Sequence, residues 1–421
     1  MSKPDPQELM QPVPDLRMPD HIRSDFPILR RKVHGHPLVY LDNAATTHKP
    51  QAVLDRILEV YKDGYSNIHR GVHHLSEIAS QAYEDARKTV KEFINAPHGH
   101  EVIFTGGATD SINLVAASFG EAFVEEGDEI IVSEMEHHSN IVPWHMMCRR
   151  TGARVKTLPV SEKGTLEAAT LKELITSKTR LVCLVYVSHV LGTVNDIREL
   201  IRVCHEKGVP VLVDGAQAVQ HMQVDVQQLG ADFFVFSGHK IFSETGIGVL
   251  YGKEDWLEKM PPYRGGGGMI SSVTMEQTSY GELPFKFEAG TGNYVAAISL
   301  AAALDYVKRS GLDAIKAHED DVFAYALDHL NELEGLTIYG NPPKRCSVVS
   351  FNIDGVHHYD AGMVLDKKGI AVRTGKLCAE PLLHTLGVDG VIRASFALYN
   401  TKEDVDHLIG GIKTAQTMFK T

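Results

Sequence analysis

Short apolar segments alternate with helix-like segments through the middle of the chain, and this alternation constrains the fold more than any other feature. The apolar segments lie at residues 102–104, 130–132, 154–158, 181–187, 211–213, 233–236 and 247–251. A strand buried on both faces is apolar throughout, and strands separated by helices pair in parallel. The pattern predicts an α/β domain with a mostly parallel seven-stranded sheet covered by helices.

The pattern changes after a long apolar helix pattern at residues 294–307. Strand-like segments follow at 347–353, 370–373 and 391–396, and a loose capping box at Thr401 predicts a last helix. We therefore predict three parts. An extended, proline-rich arm occupies residues 1–21, and a large domain occupies 22–304, its N-terminal segment packing partly with the smaller α+β domain at 305–421.

The composition excludes several classes of protein. The 421 residues carry 42 basic and 54 acidic side chains, and this net charge of −12 disfavours a general nucleic-acid binder. The longest apolar run, residues 181–187, is far shorter than the ~20 residues that cross a bilayer. The acidic, proline-punctuated N-terminus lacks the apolar stretch of a secretory signal. We expect a cytoplasmic protein that binds neither nucleic acid nor membrane.

The cysteines are widely spaced, and no two of them form a C-x-x-C pair. They are Cys148, Cys183, Cys204, Cys346 and Cys378. This spacing argues against a disulfide framework and against a cysteine-built zinc site. Most of them are expected to be small buried apolar residues, with room for one reactive thiol.

Two predicted strands end in residues suited to chemistry. Asp214 directly follows the strand at 211–213, and Lys240 follows the strand at 233–236. Because the carboxyl ends of parallel strands meet at the edge where open α/β folds bind ligands, both residues can reach one ligand. A desolvated lysine is a nucleophilic amine suited to Schiff-base chemistry. A helix cap and a solvated lysine are the structural alternatives.

Two more predicted strand ends carry candidate site residues. Gly106, Gly107 and Thr109 stand between a strand and a helix start, where backbone N–H groups can hold an anion. The motif matches neither the dinucleotide-binding nor the P-loop pattern. His137 and His138 follow the next strand, but adjacent side chains point apart, so we expect no metal. A histidine at this edge can instead lie flat on a planar cofactor.

The order of these motifs resembles the fold-type I, pyridoxal-phosphate-dependent enzymes of aminotransferase class V. The motifs are Gly-Ala-Thr at 107–109, Met-Glu-His-His at 135–138, Asp-Gly-Ala-Gln at 214–217 and Ser-Gly-His-Lys at 237–240. Narrower matches resemble the SUF-type (group II) cysteine desulfurases. They lie at residues 40–45, 67–73, 288–291, 373–375 with Cys378, and 393–395. The resemblance runs from about residue 22 to the end of the sequence.

The resemblance implies pyridoxal phosphate and a set of residues that would hold it. Lys240 would bind it as a Schiff base, Asp214 would pair with its pyridinium nitrogen, and His137 would stack on its ring. Gln217 would hydrogen-bond the phenolic oxygen. The phosphate would be held by Ala108, Thr109, Ser237 and His239, with Thr291 contributed by the second subunit of a homodimer.

The resemblance also implies the substrate, L-cysteine, and the reaction. Arg393 would bind the substrate carboxylate as a bidentate fork, with Arg373 beside it. The further substrate residues would be Asn43 and, from the second subunit, His69 and Arg70. Cys378 would attack the substrate sulfur and keep it as a persulfide, releasing L-alanine. A small sulfur-acceptor protein would then take the sulfur toward iron–sulfur cluster assembly.

The chain departs from the family pattern at several positions around this site. They are His189, Ser243, Glu244, Gly292, Lys376 and Leu377. His189 replaces an asparagine that contacts the phenolic oxygen, so we expect either a neutral imidazole that donates an N–H there or an imidazolium that adds a positive charge.

These departures keep two alternatives open. The first is a selenocysteine lyase, or another β-eliminating lyase, which would act on L-selenocysteine or a related amino acid without an attacking thiol. The second is a catalytically idle scaffold of a sulfur-transfer complex.

Overall fold

The computed structural model describes residues 22–69 and 71–419, so the predicted arm at 1–21 and Arg70 lie outside the described residues. The helices are α1 (Gln51–Asp63), α2 (His74–Phe93), α3 (Ala108–Phe123), α4 (Val142–Thr151), α5 (Ala168–Leu174), α6 (Ile197–His205), α7 (Val226–Leu229), α8 (Glu254–Lys259), α9 (Tyr294–Ser310), α10 (Leu312–Asn331), α11 (His358–Lys367), α12 (Glu380–Thr385) and α13 (Lys402–Phe419). The strands are β1 (Lys32–Val33), β2 (His36–Pro37), β3 (Val39–Tyr40), β4 (Val102–Thr105), β5 (Glu129–Ser133), β6 (Arg154–Leu158), β7 (Thr179–Val185), β8 (Val211–Asp214), β9 (Phe233–Ser237), β10 (Gly248–Gly252), β11 (Ile270–Val273), β12 (Thr278–Tyr280), β13 (Leu336–Ile338), β14 (Val348–Ile353), β15 (Ile370–Ala371), β16 (Arg373–Gly375) and β17 (Val391–Ser395).

Seven strands form the central sheet in the order β4-β10-β9-β8-β7-β5-β6. Neighbours pair in parallel from β9 to β6, whereas β10 runs antiparallel to both β9 and β4. Each of the seven predicted strands is present, with ends within about two residues of those expected from the apolar pattern. The prediction of a mostly parallel α/β sheet is confirmed.

Burial on both faces explains why these strands are apolar throughout. In β7, Val182 and Leu184 belong to the apolar cluster on one face of the sheet. Leu181 and Cys183 belong to the cluster on the opposite face. Successive side chains of a strand point to opposite faces, so a strand that separates two cores has no polar side.

A second, antiparallel sheet has the order β13-β14-β17-β16. The single strand predicted at 370–373 is two strands, because β15 pairs in parallel with β3 while β16 pairs with β17. Helix α9 runs through residue 304, and the division into domains there stays a prediction. Within the described ranges, no helix combines the length and the apolarity needed to cross a bilayer.

A buried ion pair between Arg87 and Glu288 joins α2 to the segment before α9. The Nη1 and Nη2 atoms of Arg87 lie 2.8 and 2.9 Å from the two carboxylate oxygens. The Tyr83 hydroxyl and the backbone N–H of Phe104 donate to the same carboxylate, each at 2.8 Å. A buried carboxylate whose lone pairs are all used is stable only while its cation remains. The pair therefore fixes the segment that carries Thr291 against β4.

Replacing Arg87→Met is expected to lower the free energy of unfolding by about 3–5 kcal/mol, because the Glu288 carboxylate is left buried without a cation. Urea-induced unfolding measures this loss. The control Arg56→Met removes an exposed ion pair to Glu59, 2.7 Å long. It should cost less than about 1 kcal/mol. Equal losses in the two variants would contradict the assigned role of the buried pair.

Candidate active site

The predicted site residues meet at the carboxyl edge of the central sheet. Asp214 ends β8, and Lys240 lies in a short 3-10 turn directly after β9. His137 follows β5 and His189 follows β7. The electrostatic influence of Asp214, Arg393 and Cys378 reaches the Lys240 amine. The structure thus brings together the four residues on which the predicted chemistry depends most: Lys240, Asp214, Arg393 and Cys378.

Burial shifts the pKa values of Lys240 and Asp214 in opposite directions. Burial lowers the pKa of Lys240, and the negative charge of Asp214 opposes that shift. Burial raises the pKa of Asp214, against the charge of Lys240 and the N–H of Ala216, which donates to its Oδ1 at 2.9 Å. Both shifts favour the neutral forms. A lysine of lowered pKa has more of the unprotonated amine that attacks a carbonyl, and a cationic ring nitrogen beside Asp214 would supply the charge partner that a buried carboxylate needs.

The turn between β4 and α3 forms a cradle suited to an anion. The backbone N–H of Ala108 donates to Ser237 Oγ at 2.8 Å, at the N-terminus of the helix. Gly107 has a φ of +148°, which side chains rarely allow. A Cβ atom on Gly248 would lie 2.4 Å from the Gly107 Cα. These two glycines let the turn lie against β10, and the hydroxyls of Ser237 and Thr109 suit a phosphate.

A cleft of about 960 Å³ opens at this cradle. Its lining includes the predicted phosphate residues Thr109, Ser237, His239 and Thr291. Burial and the charges of Lys240 and Lys49 lower the pKa of His239 to about 4, so its ring is neutral at pH 7. A single chain is described, and the contribution of Thr291 from a second subunit stays a prediction.

Gln217 is buried close to this edge with one half of its amide unused. Its Nε2 donates to the carbonyl oxygen of Ala44 at 2.6 Å, and its Oε1 has no hydrogen-bond partner among the described residues. Buried polar atoms almost always have a partner. The free oxygen therefore fits the predicted contact with a phenolic group, with the ligand hydroxyl as the donor.

The rings of the adjacent His137 and His138 hydrogen-bond to different parts of the chain. The His137 ring accepts at Nδ1 from the backbone N–H of Ser139 at 3.1 Å. Burial, with the charge of Lys240, lowers the pKa of His137 to about 4, so the ring is neutral. The His138 ring instead accepts at Nε2 from the backbone N–H of Glu380 at 3.1 Å. Among the described residues, no group of three His, Cys, Asp or Glu side chains could hold a metal ion.

His189 differs from both sequence expectations. Its Nε2 lies 2.9 Å from the carbonyl oxygen of Leu377, an atom that only accepts, so Nε2 carries the proton. Burial holds the pKa of His189 well below its usual range, which favours the neutral ring. The single N–H of the neutral ring is used by Leu377 and is not free for a phenolic oxygen. That His189 contacts the cofactor stays a prediction, and such a contact would not use this N–H.

Two left-handed residues shape the Cys378 loop. Leu377 and Cys378 have φ values of 53° and 54°, each costing roughly 1–2 kcal/mol for an L-residue. The carbonyl of Cys378 accepts from the backbone N–H of His138 at 2.8 Å. Lys376 pairs with Glu380 at the surface. Cys378 is exposed, whereas the other four cysteines are buried.

Asp42 joins the two arginines that were predicted to lie at the substrate. Its carboxylate oxygens lie 3.0 Å from Arg393 Nη2 and 2.7 Å from Arg373 Nη2. Arg393 is buried, and its Nε has no partner within residues 22–69 and 71–419. That atom is a free buried donor suited to a carboxylate. The sequence analysis missed Asp42, although a buried arginine requires a counter-ion and this carboxylate stands between buried residues.

The side chain of Asn43 connects buried parts of the protein. It is fully buried, and its Nδ2 donates to the carbonyl of Ser395 at 2.7 Å and to Asn400 Oδ1 at 3.0 Å. Its Oδ1 accepts from the Tyr399 hydroxyl. Both polar atoms of its side chain bond within the protein, and its assignment to substrate binding stays a prediction. His69 is exposed, with its ring against Tyr83 and Phe285, and its role in a second subunit stays a prediction.

Three departures from the family pattern are accommodated without disturbing the lysine turn. The hydroxyl of Ser243 lies 2.9 Å from that of Ser299 in the interior. Burial raises the pKa of Glu244, and the charge of Lys49 opposes the shift. A Cβ on Gly292 would meet only the Tyr83 hydroxyl, 3.7 Å away.

The comparisons with known proteins agree with this geometry. The sequence profile of the aminotransferase class-V family matches residues 39–408. A probable cysteine desulfurase of Halalkalibacterium halodurans is 50% identical over 398 residues, which cover 94% of this chain and 98% of the relative. A cysteine desulfurase of Yersinia pestis is 48% identical over 400 residues, covering 95% and 98%.

Solved structures give the same result. The cysteine desulfurase CsdA of Escherichia coli superposes with a TM-score of 0.88 at 40% identity, covering 95% of this chain and 98% of that one. An apo cysteine desulfurase of Thermococcus onnurineus superposes with a TM-score of 0.90 at 37% identity, covering 96% and 98%. The chain therefore belongs to the aminotransferase class-V family, and the predicted family and fold are confirmed.

The residues present fit pyridoxal phosphate, the cofactor implied by the family resemblance. The anion cradle suits its phosphate, and the free Oε1 of Gln217 suits its phenolic group. The Lys240 amine with a lowered pKa suits its aldehyde, and Asp214 suits its ring nitrogen.

Glu136 is a buried carboxyl that the sequence analysis did not single out. Its oxygens accept from Ser133 Oγ at 2.5 Å, from Asn140 Nδ2 at 2.8 Å and from the N–H of Val185 at 2.7 Å. Burial nevertheless raises the pKa of Glu136 to about 8. Its position inside the Met-Glu-His-His motif is the sequence feature that could have identified Glu136. It ties the segment before His137 to the end of β7.

The raised pKa of Glu136 predicts a pH-dependent stability. The unfolded carboxyl ionises near pH 4.5 and the folded one near pH 8, so the stability due to protonated Glu136 is lost as the pH rises through this window. From pH 6 to pH 8 wild type should lose about 2 kcal/mol of unfolding free energy relative to Glu136→Gln. Urea unfolding of both proteins at several pH values measures the difference. Parallel pH profiles would contradict it.

Cys378 is expected to be the one cysteine that reacts readily in the folded protein. Burial raises the pKa of Cys148 to about 11, and of Cys204 and Cys346 to about 12, and lifts that of Cys183 well above its usual value. A thiol that stays protonated and buried is inert. Iodoacetamide at pH 8, followed by peptide mass spectrometry, should label only Cys378. Unfolded protein is the control, in which all five should react; labelling of a buried cysteine before unfolding would refute the assignment.

Proposed function

We propose that this protein is a pyridoxal-phosphate-dependent cysteine desulfurase that converts L-cysteine to L-alanine and holds the sulfur as a persulfide on Cys378. The observation that carries the proposal is the meeting of four groups at one sheet edge. These are the Lys240 amine of lowered pKa, the buried carboxyl of Asp214, the buried guanidinium of Arg393 and the exposed thiol of Cys378.

Each residue has a defined task in this reaction. When bound, pyridoxal phosphate supplies an electron sink for the substrate carbon. Arg393 orients the substrate through its carboxylate, with Nε as the free donor. Lys240 Nζ takes the proton from the substrate Cα and later returns one. The neutral His137 ring provides a flat surface for the cofactor.

The sulfur transfer step balances without an external oxidant. The Cys378 thiolate attacks the substrate sulfur, and a sulfur–sulfur bond forms as the Cβ–sulfur bond breaks. The bonding pair stays with Cβ, which takes up a proton and becomes the methyl group of alanine. The transferred sulfur is oxidised by two electrons and the carbon is reduced by two.

We further propose a SUF-type homodimer that works in the cytoplasm and passes its sulfur to a small acceptor protein for iron–sulfur cluster assembly. Exposed apolar side chains support the dimer: Leu58, Tyr61, Tyr65, Val72, Leu75 and Ile78. Several large apolar side chains exposed within one short stretch of the chain are typical of an interface. Five free cysteines fit a reducing compartment.

A lyase that releases sulfide or selenide by β-elimination is the second candidate. The observation that favours it is Leu377, which stands in place of a family histidine next to the nucleophile. Elimination needs Lys240 but no attacking thiol, so the role of Cys378 separates the two reactions.

Replacing Cys378→Ala is expected to lower alanine formation from L-cysteine at least about hundredfold, because the sulfur has no acceptor. Alanine, pyruvate and protein-bound persulfide are measured on purified protein. Cys346→Ala, which removes a buried thiol, is the matched control and should leave turnover within about twofold of wild type. Full turnover of Cys378→Ala, with pyruvate as product, would refute the desulfurase and establish the lyase.

A further inference from the structure

His189 contacts two functional elements at once. Its carbonyl oxygen accepts from Nη1 of Arg393 at 3.0 Å, and its ring Nε2 donates to the carbonyl of Leu377 at 2.9 Å. The residue is 4% exposed, so water does not compete for either bond. One buried residue therefore links the proposed substrate arginine to the loop that carries Cys378.

The loop depends on such a contact because of its backbone conformation. Leu377 and Cys378 are consecutive non-glycine residues in the left-handed region. Conformations of this kind persist only where surrounding contacts fix them. The His138 N–H holds the Cys378 carbonyl, and within the described part of the chain the His189 ring is the only donor to the Leu377 carbonyl.

The other hydrogen bonds and ion pairs of this loop are local or exposed. The N–H of Ala379 donates to the Lys376 carbonyl at 3.0 Å, within the loop itself. The Lys376–Glu380 ion pair lies at the surface, with both side chains more than half exposed. Exposed pairs contribute little to holding a segment. The His189 contact is therefore one of two hydrogen bonds that hold the Leu377 and Cys378 carbonyls to the sheet edge.

We propose that His189 is a positioning residue that fixes the Cys378 thiol relative to a substrate whose carboxylate is bound by Arg393. The proposal rests on the proposed desulfurase function. Reacting atoms must be held about 3–3.5 Å apart and aligned, so a looser loop slows sulfur transfer. Substrate binding, which depends on Arg393 and the cofactor site, should change much less. His189 then acts on kcat and leaves KM nearly unchanged.

Three substitutions at position 189 separate the effect of losing the N–H donor from the effect of changing the side-chain volume. His189→Phe keeps a ring but removes the N–H. His189→Gln can place an amide N–H near the position of Nε2, whereas the shorter His189→Asn, the residue usual in the family, cannot reach it. His205→Asn is the control, because His205 ends α6 and its ring pairs with Asp232 and not with the loop. All variants are studied with pyridoxal phosphate bound.

The first measurement is hydrogen–deuterium exchange of the Ala379 and Glu380 amides, which report loop opening independently of turnover. We expect His189→Phe and His189→Asn to speed exchange about tenfold, equivalent to about 1.4 kcal/mol, the scale of one hydrogen bond. His189→Gln and His205→Asn should stay within about threefold of wild type. The kcat for L-cysteine should fall about tenfold in the first two variants, with KM changed less than twofold.

Unchanged exchange in His189→Phe would overturn the proposal, as would a changed visible absorbance of the cofactor with unchanged exchange. If His189→Phe does not fold, equal exchange in His189→Asn and His189→Gln overturns it instead. The exchange comparison does not require turnover. Wild-type protein that forms no alanine would therefore refute the proposed function while the test of the loop contact stands.

Discussion

The buried guanidinium of Arg393 is the constraint on which the rest of this structure depends. A charge removed from water requires an opposite charge and partners for its other donors. Asp42 supplies the charge and the His189 carbonyl accepts from Nη1. Asp42 also lies beside β3, whose pairing with β15 joins the first described segment to the C-terminal part. The partners of the Arg393 guanidinium thus connect distant parts of the chain at the site.

The site residues otherwise share a common electrostatic state. Burial moves Lys240, Asp214, His137 and His239 toward their neutral forms. Arg393 and Asp42 are held together in the same site as an ion pair. A site of this kind can take up an anionic phosphate and a zwitterionic amino acid without strong competing charges of its own.

The sequence predicted the sheet well and individual contacts less well, for physical reasons. Strands buried on both faces have no polar residues, so their positions follow from the apolar runs. The segment at 370–373 splits because its halves pair with different strands, which composition does not encode. The predicted strand ends also indicated that Asp214 and Lys240 lie at the carboxyl edge of the sheet. The partner of His189 was unforeseen, since it is a backbone carbonyl, which every residue carries.

The way the Cys378 loop is held also limits how far sulfur can travel. Its backbone is tied through two consecutive carbonyls, so the freedom left to the thiol is rotation about its side-chain bonds. A persulfide extends the side chain by one sulfur–sulfur bond of about 2.05 Å. Under the proposed function the outer sulfur covers only a few bond lengths. The acceptor must then bring its own nucleophile to the loop. Sulfur transfer therefore requires the acceptor to dock beside Cys378 and does not depend on a large movement of the loop.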